Sequence, residues 1–477
     1  MMSETISDEE AAQARPWKVL LYTCAAVFIV TLDATILFVA FPAIRASYPH
    51  VSTANLSWIL NAYTIVVGAM LIPAAAYADK FGRKRIFLIG VPIFTAGSLL
   101  CGISQGVWLL VAARTLQGLG AALLTPTSLS LVLGEFQKEK RAIAIAVWGA
   151  VAALAAAVGP ALGSAIIHFL TWRWVFFINV PIGLWCWIQG RRVLHEAKLN
   201  AAAPVPRLVA AGQIALALAL VSLAIVQGKS WGWVNSKTLL AAAAGLVLFL
   251  VFVSADFRSR RPLVDWSLFR SKNFRFSNYT TLVFSAAFSA MFLGNVFFLK
   301  ELWHYGTIEI GLAMTVGPLC VVPSALVTGK YAGKHGHAKP FLVGGLLYAA
   351  SAMIRLATLD FEANFLLLWL PTAILSGIGV GMIFPSLSSS ATFDLPPTRY
   401  SIGSGVNNSI RQLGSVLGIA FAVLCVGSER AHAATGFTAL YSGLTAAAVV
   451  TALLGVHVST ASVQDRSTSP AAVTEVK

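Results

Sequence analysis

Long apolar runs alternate with short polar breaks along the whole chain. The runs lie near 18–44, 54–78, 85–105, 108–134, 141–170, 174–193, 208–228 and 237–257, then near 276–303, 309–330, 340–359, 364–389, 401–427 and 436–459. A helix that crosses a bilayer needs about 20 mostly apolar residues. Strands of a membrane barrel would be only ~10 residues long and would alternate in polarity. The pattern therefore predicts an all-α polytopic membrane protein with fourteen transmembrane helices.

Composition supports this reading. Of 477 residues, 57% are hydrophobic and 11% charged, whereas a soluble domain carries about 25% charged residues. So little polar surface cannot cover a core in water. The acidic opening stretch "MMSETISDEEAAQARPWK" lacks the basic region of a cleaved signal peptide, so the first run is expected to stay as a helix. Cys24, Cys101, Cys186, Cys320 and Cys425 all fall inside apolar runs and read as small core residues, with no disulfide framework and no metal site.

The net charge of +15 is explained by its placement. With both termini cytoplasmic, 25 of the 34 Lys and Arg residues fall in cytoplasmic segments, 6 outside, and 3 (Arg114, Arg355 and Arg411) within spans. That excess sets the orientation by the positive-inside rule. It predicts a multi-pass protein of the plasma (inner) membrane, its partner the lipid bilayer. Nucleic acid is not an expected partner, because the basic residues form clusters between apolar runs instead of one basic face.

Two internal similarities organise the chain. "YADKFGRKR" (Tyr77 to Arg85) returns as "YAGKHGHAK" (Tyr331 to Lys339), and "LQGLGAALLTP" (Leu116 to Pro126) as "LSGIGVGMIFP" (Leu375 to Pro385). Each pair is displaced by eight helices, so a six-helix unit is duplicated around an inserted pair. The expected organisation is a tail at 1–17, a six-helix half at 18–194, the inserted pair with its linkers at 195–275, a second half at 276–459 and a tail at 460–477. Parallel six-helix repeats belong to transporters whose site lies between the halves near the midplane.

The motifs themselves carry a resemblance. "YADKFGRKR" is similar to the loop signature between helices 2 and 3 of the major facilitator superfamily. "LDATILFVAFP" (Leu32 to Pro42), "RTLQGLG" (Arg114 to Gly120), "AAAVGPALG" (Ala155 to Gly163), "TWRWVFFINVPIG" (Thr171 to Gly183) and "NNSIRQLGSVLG" (Asn407 to Gly418) resemble signatures of its fourteen-helix drug:proton antiporters. The resemblance covers nearly the whole chain. It implies multidrug efflux driven by the proton gradient, with no bound cofactor. There are departures: Phe38 stands where the family often has Asn, Ala75 where it usually has Gly, and the tenth helix has no second acid in its body.

Asp33 is the one carboxylate placed deep within a span, roughly 22 Å along the first helix at 1.5 Å per residue. Burial favours its neutral form, so charge-dependent binding there would make substrate and proton exclusive. The alternative is an aspartate held permanently by an arginine. Arg114, at a similar depth on the fourth helix, is its expected partner. The resemblance assigns it to proton relay; a fixed counter-ion is the competing role. Arg411 has no carboxylate at its depth and would meet either backbone carbonyls or an anionic substrate group.

Gly149, Gly159 and Gly163 allow close helix approach, and Pro160 removes a backbone hydrogen bond; the resemblance makes this segment a seam that limits leakage. In the first repeated turn Asp79 can cap a helix N-terminus, by resemblance that of the thirteenth helix. Lys80, Gly82, Arg83 and Lys84 complete this conformational latch. The second copy has Gly333, His337 and Ala338 in place of the acid and the Arg-Lys pair. Phe38, Trp58, Tyr63, Gln117, Asn407 and Arg411 are candidate cavity residues. Phe284, Phe288 and Phe292 form a stripe that faces either a cavity or lipid.

The reading is a proton-coupled exporter of small hydrophobic or amphipathic compounds, expected as a monomer. Export of one endogenous metabolite, import on the same scaffold, and a non-transporting sensor are the alternatives. An enzyme is not expected: His168, His304 and His457 are scattered, and no GxxxxGK[ST] loop occurs.

Overall fold

The structure is a computed structural model that describes residues 2–137, 140–196, 207–259, 262–359, 361–395, 399–426 and 433–460. The C-terminal tail from 461 and Ser401's side chain lie outside the described residues. The helices are α1 (Met2–Ser47), α2 (Thr53–Phe81, with a tight turn at Ser57), α3 (Arg83–Ile103), α4 (Val107–Glu135) and α5 (Arg141–Phe169). After the single turn Trp174–Phe177 come α6 (Asn179–Val193), α7 (Leu208–Trp231) and α8 (Ser236–Phe257). Then follow α9 (Lys272–Leu302), α10 (Thr307–His335), α11 (Ala338–Ala357), α12 (Phe365–Thr392), α13 (Tyr400–Val426) and α14 (Ala433–Val456).

Thirteen of these are long and apolar enough to cross a membrane among the described residues. The fourteenth, α6, is 15 residues long. Its span is shared with the preceding turn, because the chain tightens at Ile178. Ser98 Oγ donates to Phe176 O at 2.8 Å at this break. The first helix also runs through the expected N-terminal tail.

Equivalent helices of the two six-helix groups have equivalent neighbours. α1 packs on α5 and α6, α2 on α4, and α3 on α4 and α6. In parallel, α9 packs on α13 and α14, α10 on α12, and α11 on α12 and α14. Close approach requires glycine at some seams: a Cβ at Gly97 would lie 2.6 Å from Gln117 N, so α3 and α4 touch backbone to backbone.

Two reciprocal seams join the groups, α5 against α10 and α2 against α13. The inserted helices α7 and α8 pack on each other, and α7 covers the α2–α13 seam. Trp58 and Ile72 of α2, Ile214 and Leu218 of α7, and Leu413 of α13 share one apolar cluster there. At the end opposite the Gly82 turn, Arg45 of α1 pairs with Glu301 of α9. Phe41 and Phe297 meet edge to face at 5.7 Å beside that pair. A Cβ at Gly311 would approach Pro160 O to 2.9 Å, so α5 and α10 also close at that end. Towards the other end, Gly149 of α5 and Gly329 and Gly333 of α10 face open space.

Candidate functional site

Asp33 lies 2% exposed in α1, and three side chains from two other helices donate to it. Arg114 NH1 reaches Oδ2 at 2.6 Å, Gln117 Nε2 reaches Oδ1 at 2.8 Å, and Asn179 Nδ2 reaches Oδ1 at 3.1 Å. The spacing explains how this happens. Arg114 and Gln117 are three apart on α4, hence on one face, and the break before α6 presents Asn179 at its first position. Ser98 Oγ of α3 accepts from both Gln117 Nε2 (3.2 Å) and Asn179 Nδ2 (3.0 Å).

Every described partner of Asp33 is a donor, which is the arrangement an ionised, acceptor-only carboxylate takes. Removing two charges from water costs several kcal/mol per ion, and the gain is recovered only with good geometry and added hydrogen bonds. Both conditions are met here. Arg114 also donates through Nε to Ile59 O (3.1 Å) and through NH1 to Gln117 Oε1 (2.6 Å). Its guanidinium lies 4.1 Å from the Tyr63 ring centroid, a cation–π contact. A proton placed on Asp33 would leave the Arg114 guanidinium without its counter-charge.

The candidate residues therefore separate. Tyr63 and Gln117 belong to the Asp33 network. Trp58 packs in the cluster under α7. Asn407 is buried and donates to Asn278 Oδ1 (3.1 Å) and Thr281 Oγ1 (2.8 Å), tying α13 to α9. Phe38 meets Phe292 across the two groups at 5.1 Å. Phe284 and Phe292 are buried and Phe288 is half-buried, so the α9 stripe faces inward and not towards lipid. Gly159 and Gly163 pack on Thr35 and Ile36, next to Asp33 along α1. A surface groove of about 610 Å³ on α8 shares no residue with any of these.

In the Gly82 turn, Asp79 accepts from Arg83 Nε (3.2 Å) and NH2 (3.0 Å), and Arg83 NH1 reaches Ser130 O at 3.3 Å. Lys80 lies over the Phe81 ring. The cap on α3 is Glu196, which accepts from Lys84 N and Arg85 N at 3.1 Å each. Lys84 Nζ reaches Arg191 O. Gly82 has φ 109°, open to glycine alone, and faces Glu196.

The second group carries a polar core that sequence reasoning missed. Arg355 of α11 donates to Asn295 Oδ1 of α9 (2.6 Å) and Thr372 Oγ1 of α12 (3.0 Å), and Tyr441 OH of α14 donates to Asn295 Oδ1 (3.1 Å). Asn295 thus stands in the first helix of its group as Asp33 does in the other, as an uncharged amide in place of a carboxylate. Asn179, Ser98, Glu196 and Thr460 were also missed. Only Asn179 had a signal, inside the quoted "FINVPIG".

His337 follows Gly336, outside the spans. Its Nδ1 pairs with Thr460 Oγ1 (2.6 Å) and its Nε2 with Ser389 Oγ (2.7 Å), while burial lowers its pKa to about 4.

The chain was compared with known proteins. The family model described as Major Facilitator Superfamily matches residues 23–419. The tetracenomycin C resistance and export protein of Streptomyces glaucescens is 32% identical over 417 residues, covering 86% of this chain and 75% of that one. The riboflavin transporter RibZ of Clostridioides difficile is 30% identical over 408 residues, covering 85% and 87%. A solved structure described under substrate recognition in proton dependent oligopeptide transporters has a TM-score of 0.65 at 15% identity, covering 93% of this chain and 98% of that one. At that identity it speaks for the fold alone.

Proposed function

The chain belongs to the Major Facilitator Superfamily and is a multi-pass secondary transporter, not an enzyme; from that premise we propose that it exports small hydrophobic or amphipathic compounds in exchange for protons. The observation that carries the reading is the Asp33–Arg114 pair, buried and held by Gln117 and Asn179. Ionisable groups inside a membrane protein are costly and mark ion pathways.

In this reading Asp33 alternates between its ion pair with Arg114 and a protonated state that frees the arginine. The Arg45–Glu301 end is the closed outer side, and the Gly82 turn and both termini are cytoplasmic, in the plasma (inner) membrane. On this orientation a state with the Arg45–Glu301 end closed would be the inward-facing one. Asp79 and Arg83 hold the turn in this state, and their release into the α13 terminus would accompany the outward-facing one. The protein works as a monomer in this reading, since one buried cluster runs through both groups within the single chain, from Leu32 and Ile36 of α1 to Leu293 of α9 and Leu440 of α14. The relative named as a riboflavin transporter supports a second reading, export or import of one metabolite.

The test is proton release from purified protein on adding a panel of lipophilic cations, neutral drugs and organic acids, with Asp33→Asn alongside. Release in the wild type that is lost in Asp33→Asn is the expected result. Equal release from both would overturn the coupling role.

A further inference from the structure

We propose that Arg411 receives an anionic group of the transported compound, so that the substrate class is a flat aromatic acid or phenolate and not a lipophilic cation. The proposal rests on the export reading above and names the substrate of that same transporter.

Three arginines lie within the spans, and their surroundings differ. Arg114 is neutralised by Asp33. Arg355 is sealed at 4% exposure between Asn295, Thr372 and the Trp369 ring. Arg411 makes no hydrogen bond and no ion pair among the described residues, and its described contact is the Phe384 ring at 6.0 Å. A guanidinium within a span without a counter-charge is unfavourable, and an incoming anion would relieve it.

Its neighbourhood supplies the rest of a site. From Phe384 of α12 a run of rings continues through Phe288 (5.1 Å) and Phe292 (5.9 Å) of α9 to Phe38 of α1 (5.1 Å). The run crosses from one six-helix group to the other, which a site for alternating access requires. Arg411, Phe384, Phe288 and Phe38 are each only partly buried. Aromatic faces would hold a flat apolar body by stacking. The planar fork at one end matches a carboxylate or phenolate oxygen. A cationic compound would meet Arg411 with like charge, since Asp33 is already engaged. Asn, where the resemblance expects it at position 38, would interrupt the ring run; Phe38 continues it.

The experiment measures binding to purified full-length protein of one planar scaffold in three charge states: anthraquinone-2-carboxylate, its methyl ester, and the 2-aminomethyl cation. The wild type is expected to bind the carboxylate at least about tenfold more tightly than either other form, the range of one charge-assisted contact. In Arg411→Gln that preference should fall to about parity, and Arg411→Lys should keep part of it. A wild-type preference for the cation or ester, binding of none of the three, or a carboxylate preference that survives Arg411→Gln would overturn the proposal. Proton release in the same samples separates the two readings. Asp33-dependent release without carboxylate preference removes Arg411 and keeps export. Carboxylate preference without release removes the coupling and keeps the anion site.

Discussion

Thr460 caps the turn after Gly336 as Glu196 caps the turn after Gly82. Thr460 Oγ1 accepts from His337 N at 2.9 Å, just as Glu196 accepts from Lys84 N and Arg85 N. Both turns hold a glycine at positive φ, 79° at Gly336 and 109° at Gly82. Each capping residue comes from the chain just past the last helix of its own group. The duplicated unit therefore keeps the geometry of the turn and changes its chemistry, from a carboxylate over basic residues to a hydroxyl over a histidine.

Removing either cap should weaken its own group. Glu196→Ala and Thr460→Ala are each expected to lower stability by about 0.5–2 kcal/mol, the usual cost of a lost N-cap. Glu196 is exposed, so its value belongs at the low end. Thermal unfolding of the two variants checks this, and two unchanged midpoints would refute the capping role.

Acid should loosen the second turn. His337 has its pKa lowered to about 4, against an ordinary 6.5. The unfolded chain therefore takes up the proton first. The stability held by neutral His337 is fully present above about pH 6.5 and is lost as pH falls towards 4. At full protonation the loss is roughly 3 kcal/mol, at 1.36 kcal/mol per unit. Unfolding midpoints between pH 7 and 4.5 should fall more steeply in the wild type than in His337→Asn.

The Asp33–Arg114 pair should show strong coupling in a double-mutant cycle. Arg114→Gln leaves a carboxylate buried without its counter-charge, a change that costs about 3–5 kcal/mol. Asp33→Asn combined with Arg114→Gln removes both charges and should recover a large part of that loss. Additive losses in the double variant would mean that the two groups act independently.

How much of this was legible in the chain depended on what each residue had to reveal. Hydropathy located the thirteen helices that are long and apolar enough to cross among the described residues, because bilayer thickness fixes helix length; α6, at 15 residues, falls short of that, and the chain tightens at Ile178 just before it. Asp33 and Arg114 stood out since charge within an apolar run is conspicuous. Gln117 lay one turn from Arg114 and was read as a cavity residue, because spacing gives a face but not its partner. Glu196 and Thr460 gave no signal: they lie in polar stretches where any residue is unremarkable, and only the tertiary approach to Gly82 and Gly336 gives them a role. Asn295 and Arg355 were obscured differently, since a buried arginine suggests an acid and its partners here are neutral.

Two glycines of α5 should respond in opposite ways to the same methyl group. A Cβ at Gly159 would run into Thr35, two residues beyond Asp33, with Thr35 Cβ at 3.0 Å. Gly159→Ala should therefore cost about 1–3 kcal/mol, as overpacking does, and displace α1 where the carboxylate is held. A Cβ at Gly149 would meet open space, and there alanine should be neutral or gain up to about 1 kcal/mol from helix propensity. Transport assays on both variants at matched protein levels then separate seam from hinge. If Gly149→Ala stays folded yet stops transport, the space beside it is filled in another state of the cycle, and α5 must swing against a neighbour there. If it transports normally while Gly159→Ala does not, the α1–α5 seam beside Asp33 is what the Gly-Pro segment protects.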